Sequence, residues 1–145
     1  MLDPINLFDF EARAKLALPN HIWDFIEAGA SDEITTGRNR RALDAVALRP
    51  RYLVDVWDRD TSTTVLGHKI SLPVMLAPAG GQASAHPDGE LATARATGKA
   101  GTIMFLSTSS NYSMEEVSVA SEGPLVFQLY HRGHDISEML VHRAE

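Results

Sequence analysis

Three short apolar runs in the second half of the chain end in residues able to do chemistry. The run from Pro73 to Pro78 leads into Ala79 and Gly80, where small residues let a flat ligand lie close to the backbone. The run that starts at Thr102 ends in Ser107, Thr108 and Ser109, a row of hydroxyls. The run that starts at Leu125 ends in Gln128, Leu129 and Tyr130, with His131 just beyond. Carbonyls, hydroxyls, an amide and a phenol together suit a heterocycle that carries both donors and acceptors. They do not suit hydrolysis: spacing places no Ser–His–acid set, and no paired carboxylates share the end of a run. Plainer roles stay open for the same residues. Ser107 and Thr108 can serve as caps, Gln128 as a buried structural amide and Tyr130 as part of a core. His131 and His134 are three apart, but Gly133 lies between them and no third ligand is evident, so no metal site is expected. His86, in the stretch from Ala85 to Glu90, is expected to hydrogen-bond locally where a helix begins.

The elements that must position these residues follow from periodicity. Up to residue 50 the chain reads as helices. Asn6 is a good N-cap for a helix that sets Leu7, Phe10 and Ala14 on one face. Pro19 and Gly29 suit the start and end of a second helix, with Ile22, Trp23 and Ile26 as its apolar stripe. Ser31 and Asp32 offer caps for a third, which Pro50 ends. Three helices this short would struggle to form a core alone. Residues 61–72 read as a hairpin around Gly67. Beyond it, apolar runs alternate with helices: one from Asp88 to Ala100, one opened by a capping box at Ser113 and Glu116, and one carrying Ile136, Met139, Leu140 and Ala144.

Strands apolar on both faces and alternating with helices imply a parallel sheet covered by helices. A doubly wound open sheet and a (β/α)8 barrel both fit. The glycine fingerprints of nucleotide-binding sheets are absent, since the turn after the first run reads Ala79-Gly80-Gly81-Gln82, so the barrel is favoured. A barrel needs about 250 residues, and three strands cannot close one. The last helix runs into Glu145 without a C-cap glycine. The expectation is therefore a chain cut short of its natural end.

Composition narrows the function. With 13 Lys plus Arg against 19 Asp plus Glu, the net charge is −6, which argues against a nucleic-acid partner. There is no cysteine, which excludes disulfide scaffolds, cysteine-based zinc sites and thiol nucleophiles. No signal peptide is visible, and no apolar stretch is long enough to span a membrane. A cytoplasmic location is expected.

The sequence resembles the FMN-dependent 2-hydroxy-acid dehydrogenases and oxidases, the group that contains glycolate oxidase, lactate oxidase, lactate monooxygenase, mandelate dehydrogenase and flavocytochrome b2. The resemblance rests on the stretches 24–30, 48–51, 72–78, 86–90 with 92–96, 101–104 and 127–130, which stand in the family's order and spacing. It implies helices followed by a (β/α)8 barrel. Residues 1–50 would be the N-terminal helical segment, and residues 51–145 the first part of an FMN-binding barrel, about three of its eight strand–helix units. It implies oxidation of an (S)-2-hydroxy acid to a 2-keto acid. A hydride equivalent passes from Cα to flavin N5, a His takes the proton, and O2 or another acceptor reoxidises the flavin. It also implies a homo-oligomer, a tetramer in the family.

Carried over by position, Pro78, Ala79 and Gly80 match the backbone against the isoalloxazine ring. Ser107 and Gln128 match residues that hydrogen-bond the ring's polar edge. Tyr130 matches a phenol that reaches the substrate. Phe25 stands where the family usually has a substrate-binding Tyr, and Ser109 where glycolate oxidases carry a bulky aromatic. This implies a substrate other than glycolate. The family's catalytic His, its Arg clamps and its phosphate site all match positions beyond Glu145, so no catalytic base is expected within these residues. The competing expectation is a non-catalytic partial barrel that acts only with a partner chain. Another FMN barrel, such as an isomerase, is disfavoured by the stretches 86–90 and 128–130.

Overall fold

The structure is a computed structural model that describes residues 3–145. The chain divides into two compact units, Met1–Asp58 and Arg59–Glu145.

The first unit is helical, with α1 (Phe8–Ala17), α2 (Asn20–Glu27) and α3 (Ile34–Asp44). Asn6 does hold the start of α1: its Oδ1 accepts from the N–H groups of Phe8 (2.8 Å) and Asp9 (3.3 Å). Pro19, with its fixed φ, immediately precedes α2. The start of α3 differs from expectation. Neither Ser31 nor Asp32 caps it. Glu33 precedes the helix in the left-handed region, and its Oε1 accepts from Gly29 N–H at 3.0 Å. None of the three helices buries a residue. Cation–ring contacts contribute instead, with the Arg40 guanidinium 4.4 Å from the Phe8 ring centre and Lys15 Nζ 5.7 Å from that of Trp23.

The second unit opens with the hairpin, β1 (Thr63–Val65) antiparallel to β2 (His68–Ile70). Its turn residues, Leu66 and Gly67, both have positive φ (49° and 80°). That is the two-residue turn whose twist matches paired strands, and Gly67 supplies the freedom it needs. Three βα units follow. The run from Pro73 to Pro78 makes a single parallel bridge, Leu76 with Met104, and is followed by α4 (Gly89–Ala100). β3 (Met104–Ser107) leads to α5 (Met114–Ala120), and β4 (Leu125–Gln128) leads to α6 (His134–Ala144). β3 and β4 are parallel, in the register Met104 with Leu125 through Ser107 with Gln128. The first run is thinner than a full strand partly because Pro73 and Pro78 have no N–H to donate to a ladder.

The core lies between sheet and helices. Ala94, Met104, Leu106 and Val117 are buried together, with Leu91, Tyr112, Met114, Leu125 and Phe127 packed around them. Alternation along β3 sends Met104 and Leu106 into this core and turns Phe105 and Ser107 to the other face. The capping box at α5 is complete: Glu116 N–H donates to Ser113 Oγ, and Ser113 N–H donates to Glu116 Oε2. The Ser113 hydroxyl and amide together hold the Glu116 carboxyl below its ordinary range. Arg143 on α6 forks onto Glu115 on α5, with its Nη2 2.9 Å from each carboxyl oxygen. Among the described residues, no helix is long and apolar enough to cross a membrane.

Candidate flavin-binding site

The site is assembled at the C-terminal ends of the three parallel segments, where βα architecture places function. Ser107 and Gln128 are the last residues of β3 and β4 and are direct register partners. Parallel neighbours project to the same face, so the two side chains leave adjacent strands on one face, their Cα atoms one strand spacing (about 4.8 Å) apart. Ser107 is 4% exposed, and its Oγ accepts from Ser109 N–H at 3.1 Å. That turns the chain at the strand end and leaves the hydroxyl proton to donate elsewhere. The Gln128 amide and the Tyr130 hydroxyl make no hydrogen bond among the described residues.

Pro78, Ala79 and Gly80 form an exposed backbone segment beside this pair. Gly81 N–H donates to Ser109 O at 3.1 Å, which ties the segment after the first run to the chain just past the end of β3. Gly80 must be glycine here, because a Cβ would stand 2.8 Å from Ser109 O and 2.7 Å from Ser109 Cβ. The Gln82 side chain fixes the segment from behind. Its Nε2 donates to Ala79 O (2.9 Å), and its Oε1 accepts from Thr93 Oγ1 on α4 (2.6 Å). A flat backbone wall with a hydroxyl and an amide at its rim fits the ring system of FMN, whose polar edge offers carbonyls and a ring N–H.

Thr108, which the sequence offers as a ligand hydroxyl or a cap, takes a third role. Its hydroxyl donates to Gln128 O and accepts from Tyr130 N–H (2.9 Å), pinning the end of β4 to the end of β3. Both Gln128 and Tyr130 take their position from it. Replacing it by Val keeps the shape and removes both bonds. Thr108→Val is expected to lower stability by about 1–2 kcal/mol in denaturant unfolding, and Thr108→Ser by less than half of that. Equal stability of the Val variant and the wild type contradicts the role.

The remaining residues singled out from sequence fall as follows. Phe25 lies on α2 in the first unit with its ring exposed. Tyr130 is half exposed just after β4. His86 Nδ1 accepts from Asp88 N–H at 3.2 Å, the local bond expected at the start of α4. His131 Nδ1 lies 3.1 Å from Ser137 Oγ. A groove of about 640 Å³ opens elsewhere, between α5, α6 and the helix-facing side of the sheet, lined by Leu106, Met114, Leu125 and Phe127. Glu115, Ser118 and Arg143 also line it, and none of the strand-end residues 78–80, Ser107, Gln128 or Tyr130 does.

A parallel βα array with polar groups gathered at its strand ends is the opening part of a (β/α)8 barrel. Residues 14–145 match the model of the FMN-dependent dehydrogenase family, and the chain belongs to that family. It is 49% identical to glycolate oxidase 1 of Oryza sativa subsp. indica over 141 residues, which is 97% of this chain and 38% of the rice protein. Against the glycolate oxidase of Spinacia oleracea the identity is 46% over the same share of each. Among solved structures, a mandelate oxidase superposes with a TM-score of 0.92 at 39% identity, covering 97% of this chain and 43% of that one. A soluble mutant of the membrane-associated (S)-mandelate dehydrogenase from Pseudomonas putida also gives 0.92, at 37% identity, covering 98% and 41%. The chain spans about two fifths of the length of these relatives. The family's cofactor is FMN, and the fold is the opening part of its barrel, not closed within these residues.

Proposed function

We propose that these residues are the N-terminal part of an enzyme that oxidises an (S)-2-hydroxy acid to the 2-keto acid. Residues 1–50 would form its helical lead-in, and residues 51–145 the first strands of its FMN barrel. The observation that carries the reading is the register pairing of Ser107 with Gln128 beside the exposed 78–80 backbone, in a chain of this family. FMN, when bound, accepts the electron pair and the Cα hydrogen of the substrate. This chain's residues bind and orient it. Pro78, Ala79 and Gly80 offer the wall against the ring, and Ser107 and Gln128 hydrogen-bond its polar edge. Tyr130 presents a phenol toward the substrate. Phe25 belongs to the substrate side by its match to a family Tyr. The proton-accepting base and the phosphate grip come from outside these 145 residues. The full-length protein would be a homo-oligomer.

The substrate is a hydroxy acid larger than glycolate. Ser109 leaves room where glycolate oxidases carry an aromatic, and Phe25 removes a hydroxyl donor. A hydrogen bond to a charged group is worth about 1.5–3 kcal/mol, or roughly a tenfold to hundredfold change in affinity. Keto-acid formation by the full-length protein, followed over glycolate, lactate and mandelate, tests this. The wild type is expected to prefer lactate or mandelate. Phe25→Tyr is expected to raise kcat/KM about tenfold or more for at least one acid. Unchanged kcat/KM for all three contradicts the role of Phe25, and no keto acid from any substrate contradicts the function.

A further inference from the structure

The most buried charged side chain in the second unit lies behind the site. Glu90 is the second residue of α4 and is 0% exposed. Its Oε1 accepts from two backbone N–H groups on different loops, Gln82 at 3.2 Å and Asn111 at 3.3 Å. The first loop follows the 78–80 backbone, and the second follows Ser107 and Ser109. A third bond ties the same loops directly, Ala83 N–H to Asn111 Oδ1 at 2.9 Å. Gly89 lets the start of α4 press this close, because a Cβ there would stand 2.9 Å from Ala83 N. The other carboxyl oxygen, Oε2, is buried with no hydrogen-bond partner among the described residues.

Burying a carboxyl group with one oxygen unsatisfied costs free energy that an apolar residue would not. The first turn of a helix offsets part of that cost, since its N–H groups and dipole favour a negative group. Neither N–H donates to a backbone carbonyl among the described residues. The geometry points to a clamp. We propose that Glu90 is a positioning residue that locks the loop after the first strand to the loop after β3, and so fixes the wall and rim that receive the flavin. This rests on the flavin reading above. Glu90 touches neither flavin nor substrate; it acts through Gln82 and Asn111.

The test uses the full-length protein, first without and then with FMN. Glu90→Ala leaves both N–H groups without an acceptor. Glu90→Gln keeps an acceptor oxygen in place. Amide hydrogen exchange is expected to speed up about tenfold to a hundredfold at Gln82 and Asn111 in the Ala variant, with α6 and the β1–β2 hairpin unchanged. FMN titration is expected to show affinity lowered about tenfold or more in the Ala variant and largely restored in Glu90→Gln. Should Glu90→Ala fail to fold, Glu90→Asp, which draws the acceptor back by one methylene, carries the same comparison. Unchanged exchange at Gln82 and Asn111 overturns the clamp. Faster exchange with unchanged FMN affinity overturns its positioning role. A wild-type protein with no affinity for FMN overturns the flavin reading and this role with it, while the exchange rates still decide whether the clamp exists.

Discussion

Residues 1–145, purified alone, are expected to turn over no glycolate, lactate or mandelate, with O2 or with an added electron acceptor. The reason is chemical. In the proposed site the strand ends supply a backbone wall, a hydroxyl, an amide and a phenol, which would orient a ring and hold a substrate. They do not supply a proton acceptor fixed toward the substrate, and general-base help is typically worth about 10²–10⁴ in rate. The nearest candidate, His131, is exposed; its Nδ1 lies 3.1 Å from Ser137 Oγ, and no carboxylate pairs with it among the described residues. Barrels of this type also bind phosphate with loops of their late strands, and this chain spans only 38% of its glycolate oxidase relatives. The same piece is expected to bind FMN weakly or not at all. Assays with each acid, and flavin titration followed by fluorescence, check both statements. Detectable turnover by the pure piece contradicts the division of labour proposed here.

The largest stability loss from a single substitution is expected at Gly98. It faces the backbone just before β4, where a Cβ would stand 2.9 Å from both Glu122 N and Gly123 N. These are main-chain atoms that cannot swing aside as a side-chain tip can. The contact is reciprocal: a Cβ on Gly123 would stand 3.0 Å from Gly98 Cα and 3.2 Å from Thr102 O. This close approach sets the depth of α4, and with it the burial of Ala94 and Thr97. Gly98→Val should cost about 3 kcal/mol through overpacking against main-chain atoms. Lys99→Val, at an exposed position of the same helix, should cost about 0.5 kcal/mol. Denaturant unfolding of both variants in the full-length protein decides it, and equal losses contradict the packing argument.

Local signals carried the parts of the fold that were legible from sequence. The capping box at Ser113 and Glu116, the turn at Gly67 and the alternation of apolar runs with amphipathic helices each depend on residues within a few positions of one another. Reading the two runs as parallel strands puts Ser107 and Gln128 at the same end of the sheet; their direct register is a finding of the structure. Contacts that span the chain stayed hidden. Thr108 to Gln128, Glu90 to Asn111 and Gln82 to Thr93 join side chains and backbone between separate elements, and no periodicity announces them. A Glu in the first turn of a helix reads as a dipole partner on the surface, whereas Glu90 is buried. The start of α3 differs from the sequence expectation for a related reason. Ser31 and Asp32 have the composition of caps, but Glu33 reaches back to Gly29 and the helix begins one residue later.

The most direct test of the central claim is anaerobic reduction of the flavin in the full-length protein. The account predicts a yellow protein whose visible flavin absorbance bleaches on adding an (S)-2-hydroxy acid, lactate or mandelate before glycolate, and persists with the (R) enantiomers. A protein that carries no FMN, or whose bound FMN stays oxidised with every hydroxy acid, contradicts it.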